Sequence, residues 1–261
     1  MSAKITSINY CPVKSVSFQS VENCTIKKNI GIIGDRNFAF AKDLDLEQAK
    51  LFEKSPAERK GKWNKVLTLK NSPALNKYNF IFKEEKLTLT FKENEILSID
   101  INQSTEREAL SNKISELESS LKQPITLMKN DAFPFFDTSI SKKVDFENSV
   151  SLLNFQSIND FEKKVGKKIE TSIFRGNICI DGLEPWKERE WIGKTIKINN
   201  VSFKVEKNIP RCVAINLKPK TDDNSFNLLQ LLKKNYNHFD MGIYLTALDD
   251  GEINIENTIE L

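Results

Sequence analysis

Hydrophobic and polar residues alternate in short runs over most of this chain, and period-two alternation marks strands with one buried face. Residues 4–9, 21–27 and 37–42 alternate or run apolar. Residues 78–83 and 87–92, joined across 84–86, set Phe80, Phe82, Leu87, Leu89 and Phe91 two apart, which predicts a hairpin, and 96–101 adds a strand. The period then changes. Leu110, Ile114, Leu117 and Leu121 recur at helical spacing behind Thr105 and Glu108, a capping-box pair, and Pro124 closes that helix. Strand composition returns at 125–129, 150–153, 177–181, 195–198, 201–206, 213–217, 241–248, 253–255 and 258–260, with Asn199-Asn200 a hairpin turn. Between these runs lie an aromatic loop at 133–136, a helix opened by Ser157 with Asp160 and closed near Gly166, and a second helix over 226–235. Residues 187–190, between Trp186 and Trp191, read as a short helix over the sheet.

Many short strands and about four helices predict a mainly β fold with peripheral helices (α+β), closed or nearly closed. No internal repeat or low-complexity linker interrupts it. The helix end at Pro124 divides the chain into residues 1–123 and 124–261.

Composition narrows the chemistry. The 261 residues carry 39 Lys+Arg against 36 Asp+Glu, a net charge of +3, which gives no electrostatic reason to expect nucleic acid. The single histidine, His238, follows a lysine-rich helix end and reads as a surface or capping residue; it rules out multi-histidine metal sites. The four cysteines, Cys11, Cys24, Cys179 and Cys212, form no C-x-x-C pair, which rules out zinc ribbons and thioredoxin-type motifs. A metal here needs a cofactor that brings its own ligands. The N-terminal residues lack a signal-peptide stretch, and no run approaches the ~18 apolar residues of a membrane span. A soluble, cytoplasmic chain with reduced thiols and no membrane partner is the expectation.

Five local clusters suit chemistry. Cys11-Pro12-Val13-Lys14-Ser15 puts a lysine beside a hydroxyl after a stiffened strand end, and Gly31-Ile32-Ile33-Gly34-Asp35-Arg36 puts an arginine after a glycine-permitted turn. Both suit an oxyanion, lysine as a point charge and arginine as a planar fork; the plainer alternative is a solvated Lys14 and a local Asp35–Arg36 ion pair. Phe174-Arg175-Gly176-Asn177 precedes the apolar strand of Cys179 and the segment Asp181-Gly182-Leu183-Glu184-Pro185-Trp186. Ile209-Pro210-Arg211-Cys212 sets a thiol directly after an arginine. A neighbouring cation favours thiolate, the form that binds soft metals, although a cysteine at a strand start also serves as a small buried hydrophobe.

In this order the clusters resemble the MOSC family, the molybdenum-cofactor sulfurase C-terminal domain proteins. They are most similar to members with an N-terminal β-barrel domain, the amidoxime-reducing group of mitochondria and bacteria. The motifs are Pro12 to Ser15, Gly31 to Arg36, Ser151 to Asn154, Phe174 to Asn177, Asp181 to Gly193 and Pro210 to Val213. The resemblance implies a MOSC β-barrel preceded by a smaller N-terminal β-barrel-like domain. It implies a molybdenum cofactor (Mo-molybdopterin), with Cys212 as both metal ligand and catalytic residue. Lys14, Ser15 and Arg36 would meet the anionic end of the cofactor, Arg175, Asn177 and Arg211 would add contacts, Tyr244 would give a hydrogen bond or a wall, and Asn154 is carried over with them.

The implied activity is reduction of a small N-hydroxylated substrate by oxygen-atom transfer. No cysteine cluster follows Leu261, so a separate donor of ferredoxin or cytochrome b5 type is expected. Two other readings stay open: a cofactor-handling or sulfur-carrier module using a Cys212 persulfide, and a degenerate binding domain. Three positions depart from the family pattern. Ile209 stands where relatives have the first cysteine of C-x-R-C, Gly176 replaces a proline, and Cys11 replaces a tyrosine. The loops at 133–139 and 218–224, expected at the opening, carry no readable specificity code.

Overall fold

A computed structural model describes residues 3–16, 18–121, 124–136 and 149–261. The expected opening loop at 133–139 is described as far as Phe136; residues 137–139 lie outside the described residues. The chain is mainly β, with helices at the periphery.

The first strands are β1 (Lys4–Tyr10), β2 (Gln19–Val21), β3 (Asn23–Lys27), β4 (Gly31–Ile32) and β5 (Phe38–Lys42). Helices α1 (Leu46–Lys54) and α2 (Pro56–Arg59) lead to β6 (Tyr78–Lys83), β7 (Lys86–Phe91), β8 (Asn94–Asp100), α3 (Ser104–Leu117) and β9 (Ile125–Lys129). The remaining elements are β10 (Val150–Asn154), α4 (Phe155–Val165), β11 (Ile178–Asp181), β12 (Thr195–Ile198), β13 (Val201–Pro210), α5 (Leu228–Tyr236), β14 (Asp240–Ala247), β15 (Gly251–Asn254) and β16 (Ile259–Glu260).

One large sheet has the order β16-β12-β13-β14-β10-β11-β1-β2. Its ends meet. Lys4 bridges Thr258, Ile5 N donates to Asn257 O at 2.9 Å and Ile259 N to Ala3 O at 2.9 Å, so the sheet closes on itself as a barrel. The interior is apolar and mostly aliphatic because alternate residues point inward: Ile5, Ile178, Ile180, Ile196, Ile198, Phe203, Val205, Ile243 and Leu245 are buried in one cluster. Within this sheet only β10 and β11 run parallel, and α4 makes the crossover that a parallel pair requires.

A smaller lobe pairs β5 with β9 and folds β6, β7 and β8 into a meander, with α3 packed on it through Leu110 and Ile114. The sheets do not separate at residue 123/124, where the sequence suggested a division. Strands β1 to β4 belong with the barrel and with β15, and the β5–β9 ladder spans the proposed boundary. Long-range pairing decides this, and local breaks in the sequence do not report it.

Three local expectations give way to other interactions. The helix α3 begins at Ser104 without a side-chain cap, and in place of the Thr105–Glu108 box Glu106 accepts from Asp100 N at 2.6 Å. The helix α4 is capped by Asn154, whose side chain accepts from Gln156 N at 3.1 Å, while Ser157 is buried and hydrogen-bonds Glu188. Residues 213–217 form no strand. Val213–Asn216 is a 3-10 turn opened by Cys212, which lets Ile215 and Leu217 bury themselves without ladder partners.

Candidate functional site

The two glycine-and-charge turns near the N-terminus are locked together by backbone and side chain. Arg36 N donates to Cys11 O at 2.6 Å, Phe38 N to Pro12 O at 3.0 Å and Lys14 N to Phe38 O at 2.7 Å. Asp35, buried beneath them, accepts from Cys11 N at 2.7 Å and from Asn177 Nδ2 at 3.2 Å and pairs with Arg36. The local Asp35–Arg36 ion pair of the plainer alternative therefore exists, and Asp35 also ties three motifs to one carboxylate. Ser15 (φ 63°), Arg36 (φ 55°) and Arg175 (φ 52°) all hold left-handed backbone. Each such residue costs on the order of 1–3 kcal/mol, a strain that tends to collect at functional sites.

From the barrel side, β13 ends at Pro210 and hands on Arg211 and Cys212, and β14 presents Tyr244 opposite Ser151 of β10. Gly242 makes this close approach of β14 to β10 possible. Its φ is +80°, and a Cβ there would lie 2.4 Å from Leu152 O. Phe136 packs edge-on to Tyr244 with ring centroids 6.0 Å apart, and the Arg36 guanidinium lies 4.8 Å from the Phe136 ring centroid.

These elements enclose a cleft of about 1170 Å³, open to solvent, lined by Lys14, Ser15, Arg36, Arg175, Arg211, Cys212 and Tyr244. Seven of the nine expected site residues thus meet in one place. Cys212 is exposed, whereas Cys11, Cys24 and Cys179 are buried free thiols. Burial pushes Cys24 up to about 12 and raises Cys179, so neither is poised as a thiolate. Among the described residues no group of three His, Cys, Asp or Glu side chains could hold a metal unaided. His238 lies just past α5, where its Nδ1 accepts from Asp240 N at 3.1 Å, a local capping role.

Two arginines of the cleft, Arg211 and Arg175, are largely committed. Arg211 donates from Nε to Met241 O at 2.9 Å and from Nη1 to Phe174 O at 2.7 Å. Arg175 donates from Nη1 to Val16 O at 2.7 Å and from Nη2 to Cys11 Sγ at 3.3 Å. Burial lowers both, Arg211 to about 10, which leaves them cationic at neutral pH. They work as charged struts that fix the walls, and they give the cleft its positive field.

Two expected residues stand apart. Asn177 is fully buried and does not line the cleft; its amide bonds Ser151, Asn9 and Asp35. Asn154 is also fully buried, with Nδ2 donating to Glu184 O and Glu188 Oε2, each at 2.9 Å. Both act on the scaffold. Conversely, Thr68, Leu69 and Lys70 line the cleft from the small lobe, and no motif announced them. The Phe133–Phe136 run and the Ser151 motif were the available signals for Phe136 and Ser151.

The cleft between a β-barrel and a smaller lobe holds one accessible thiol among cations, a lining whose charge suits an anion and whose thiol is a soft donor. The MOSC domain model matches residues 129–260, about half of the chain, and the protein belongs to the MOSC domain family. Over 92 residues it is 28% identical to mitochondrial amidoxime reducing component 2 of Bos taurus, a stretch covering 35% of this chain and 27% of that protein. The match thus spans only about a quarter of that relative's length. Among solved structures, the YuaD protein from Bacillus subtilis aligns over 99% of this chain and 94% of its own, at 11% identity and a TM-score of 0.45. YiiM from Geobacillus stearothermophilus aligns over 42% of this chain and 52% of its own, at 14% identity and a TM-score of 0.34.

Proposed function

We propose that this protein is a molybdenum-cofactor-dependent oxidoreductase that reduces N-hydroxylated compounds with electrons from a separate donor protein. The observation that carries the reading is the opening of the exposed Cys212 thiol into the cleft lined by Lys14, Arg36, Arg175 and Arg211. The donor set suits the group. Thiolate is a soft ligand of the kind molybdenum accepts, and a pterin cofactor ends in phosphate, which lysine and arginine hold.

In this reading Cys212 Sγ binds the metal, and Lys14, Ser15 and Arg36 hold the anionic end. Arg211 and Arg175 contribute charge while keeping their hydrogen bonds to backbone carbonyls. Tyr244, backed by Phe136, forms the wall against which the substrate's reacting group is oriented. When bound, the cofactor supplies two-electron chemistry in which the N–O bond breaks, the oxygen leaves as water with two protons, and the electrons come from the donor. The protein supplies binding, orientation and electrostatics.

The working compartment in this reading is the cytoplasm, where four free thiols stay reduced. No helix among the described residues is long and apolar enough to cross a membrane. The test is anaerobic reduction of an amidoxime to its amidine by purified protein with reduced methyl viologen as donor. The wild type turns over and Cys212→Ser does not; equal turnover by both would contradict the proposal.

A further inference from the structure

Beside the cation-lined cleft lies a second depression of about 690 Å³. The two adjoin, because Leu69, Ile173, Arg175 and Ala214 line both. The chemistry changes across these shared residues. Beyond them, Val16, Phe18 and Tyr78 of the small-lobe side face Leu217 and Pro219 of the barrel side. Val16, Tyr78 and Leu217 are buried and apolar-bodied. Arg175, at the junction, is held by its bonds to Val16 O and Cys11 Sγ and has its guanidinium 4.6 Å from the Phe18 ring centroid. It stands between the cation-lined cleft and a depression that is mainly apolar, with Glu170 and Lys220 also on its lining.

The groove is also preformed. Asn76 Nδ2 donates to Lys218 O at 2.9 Å and to Thr221 O at 2.6 Å, which pins the loop at 218–224 to the small lobe. Lys77, next in sequence, pairs with Glu118 at 2.7 Å and Asp222 at 3.8 Å, a second tie between the same two parts. A groove held open in this way binds without first paying to order its walls.

We propose that this groove receives the apolar arm of the substrate whose reacting group lies beside Cys212. It therefore selects N-hydroxylated compounds with an aryl or extended alkyl arm over small ones. The inference rests on the reductase reading for the reaction, but arm binding can be measured without turnover. An apolar pocket discriminates by about tenfold or more for each substantial piece of arm it buries.

The test pairs a phenyl-bearing with a methyl-bearing amidoxime. Calorimetric binding is measured on Cys212→Ser protein, and KM and kcat on protein that retains Cys212. Ser172→Trp places an indole at an exposed position that lines the groove and not the cleft, and Asn79→Trp does so at a half-buried position of the small lobe that also lines the groove alone. The phenyl compound is expected to bind at least ~10-fold more tightly than the methyl compound. Each folded tryptophan variant is expected to erase that preference while leaving KM and kcat for the methyl compound unchanged. Equal binding of the two compounds, or a preference that survives in a folded variant, would overturn the proposal. Failure of the reductase reading looks different: the phenyl compound still binds preferentially, and neither compound is reduced.

Discussion

Asp35→Ala is the most searching test of how the site is built. Asp35 is 6% exposed and accepts from Cys11 N and Asn177 Nδ2 while pairing with Arg36, whose side chain is 11% exposed. Removing the carboxylate leaves a buried N–H without its acceptor, at about 1–3 kcal/mol, and takes from a nearly buried guanidinium the carboxylate it pairs with. Breaking a buried pair from one side costs about 3–5 kcal/mol in total, which sets the expected loss because the two costs overlap. Asp35→Asn keeps an acceptor for Cys11 N and should fall between. Urea unfolding measures both, and a cycle with Arg36→Met should show coupling of at least ~1 kcal/mol. A loss under ~1 kcal/mol for Asp35→Ala, or strict additivity with Arg36→Met, would refute the claim that one carboxylate ties the turns together.

Three other predictions concern the surroundings. A Cβ at Gly176 would meet Leu153 Cδ1 at 2.4 Å, so Gly176→Pro should destabilise by roughly 1–3 kcal/mol. Adding Leu153→Ala should recover part of that loss in urea unfolding, and an additive pair would count against the clash. Burial holds the Glu188 carboxyl above its ordinary 4.5. Its stabilising contribution is therefore full below that value and is lost as pH rises through the folded-state value, so Glu188→Gln should gain on the wild type as pH is raised from 4 to 7. A gap that stays flat with pH would refute the assignment. Finally, a thiol reagent such as Ellman's reagent should modify Cys212 alone in native protein and all four cysteines after unfolding; rapid native modification of Cys11 or Cys179 would contradict the burial described.

Much of the fold was legible because one face of each strand is buried. The strands β6, β9 and β12 coincide with their alternating runs, and Asn199, at φ 53°, sits in the expected hairpin turn. The helix starts were harder to read, since Thr105 and Ser157 carry capping chemistry but tertiary partners claim those positions, as Glu188 claims Ser157. Closure of the barrel by Lys4 and Thr258 is a contact between chain ends that no local pattern can report.

In the site, the ordered motifs led to Cys212 and to the cations around it. The same motifs brought in Asn154 and Asn177, because a motif preserves residues that hold its turn as well as residues that face a ligand. Thr68 and Lys70 lie in an unmarked loop, and only the packing of the small lobe on the barrel brings them to the cleft.

The central claim, that Cys212 anchors a molybdenum cofactor in this cleft, is tested most directly by the molybdenum and pterin content of protein purified from a cofactor-sufficient host. Both are expected in the wild type, with a large loss of molybdenum in a Cys212→Ser protein whose circular dichroism spectrum is unchanged. Wild-type protein lacking both, or equal molybdenum in the two proteins, would contradict it.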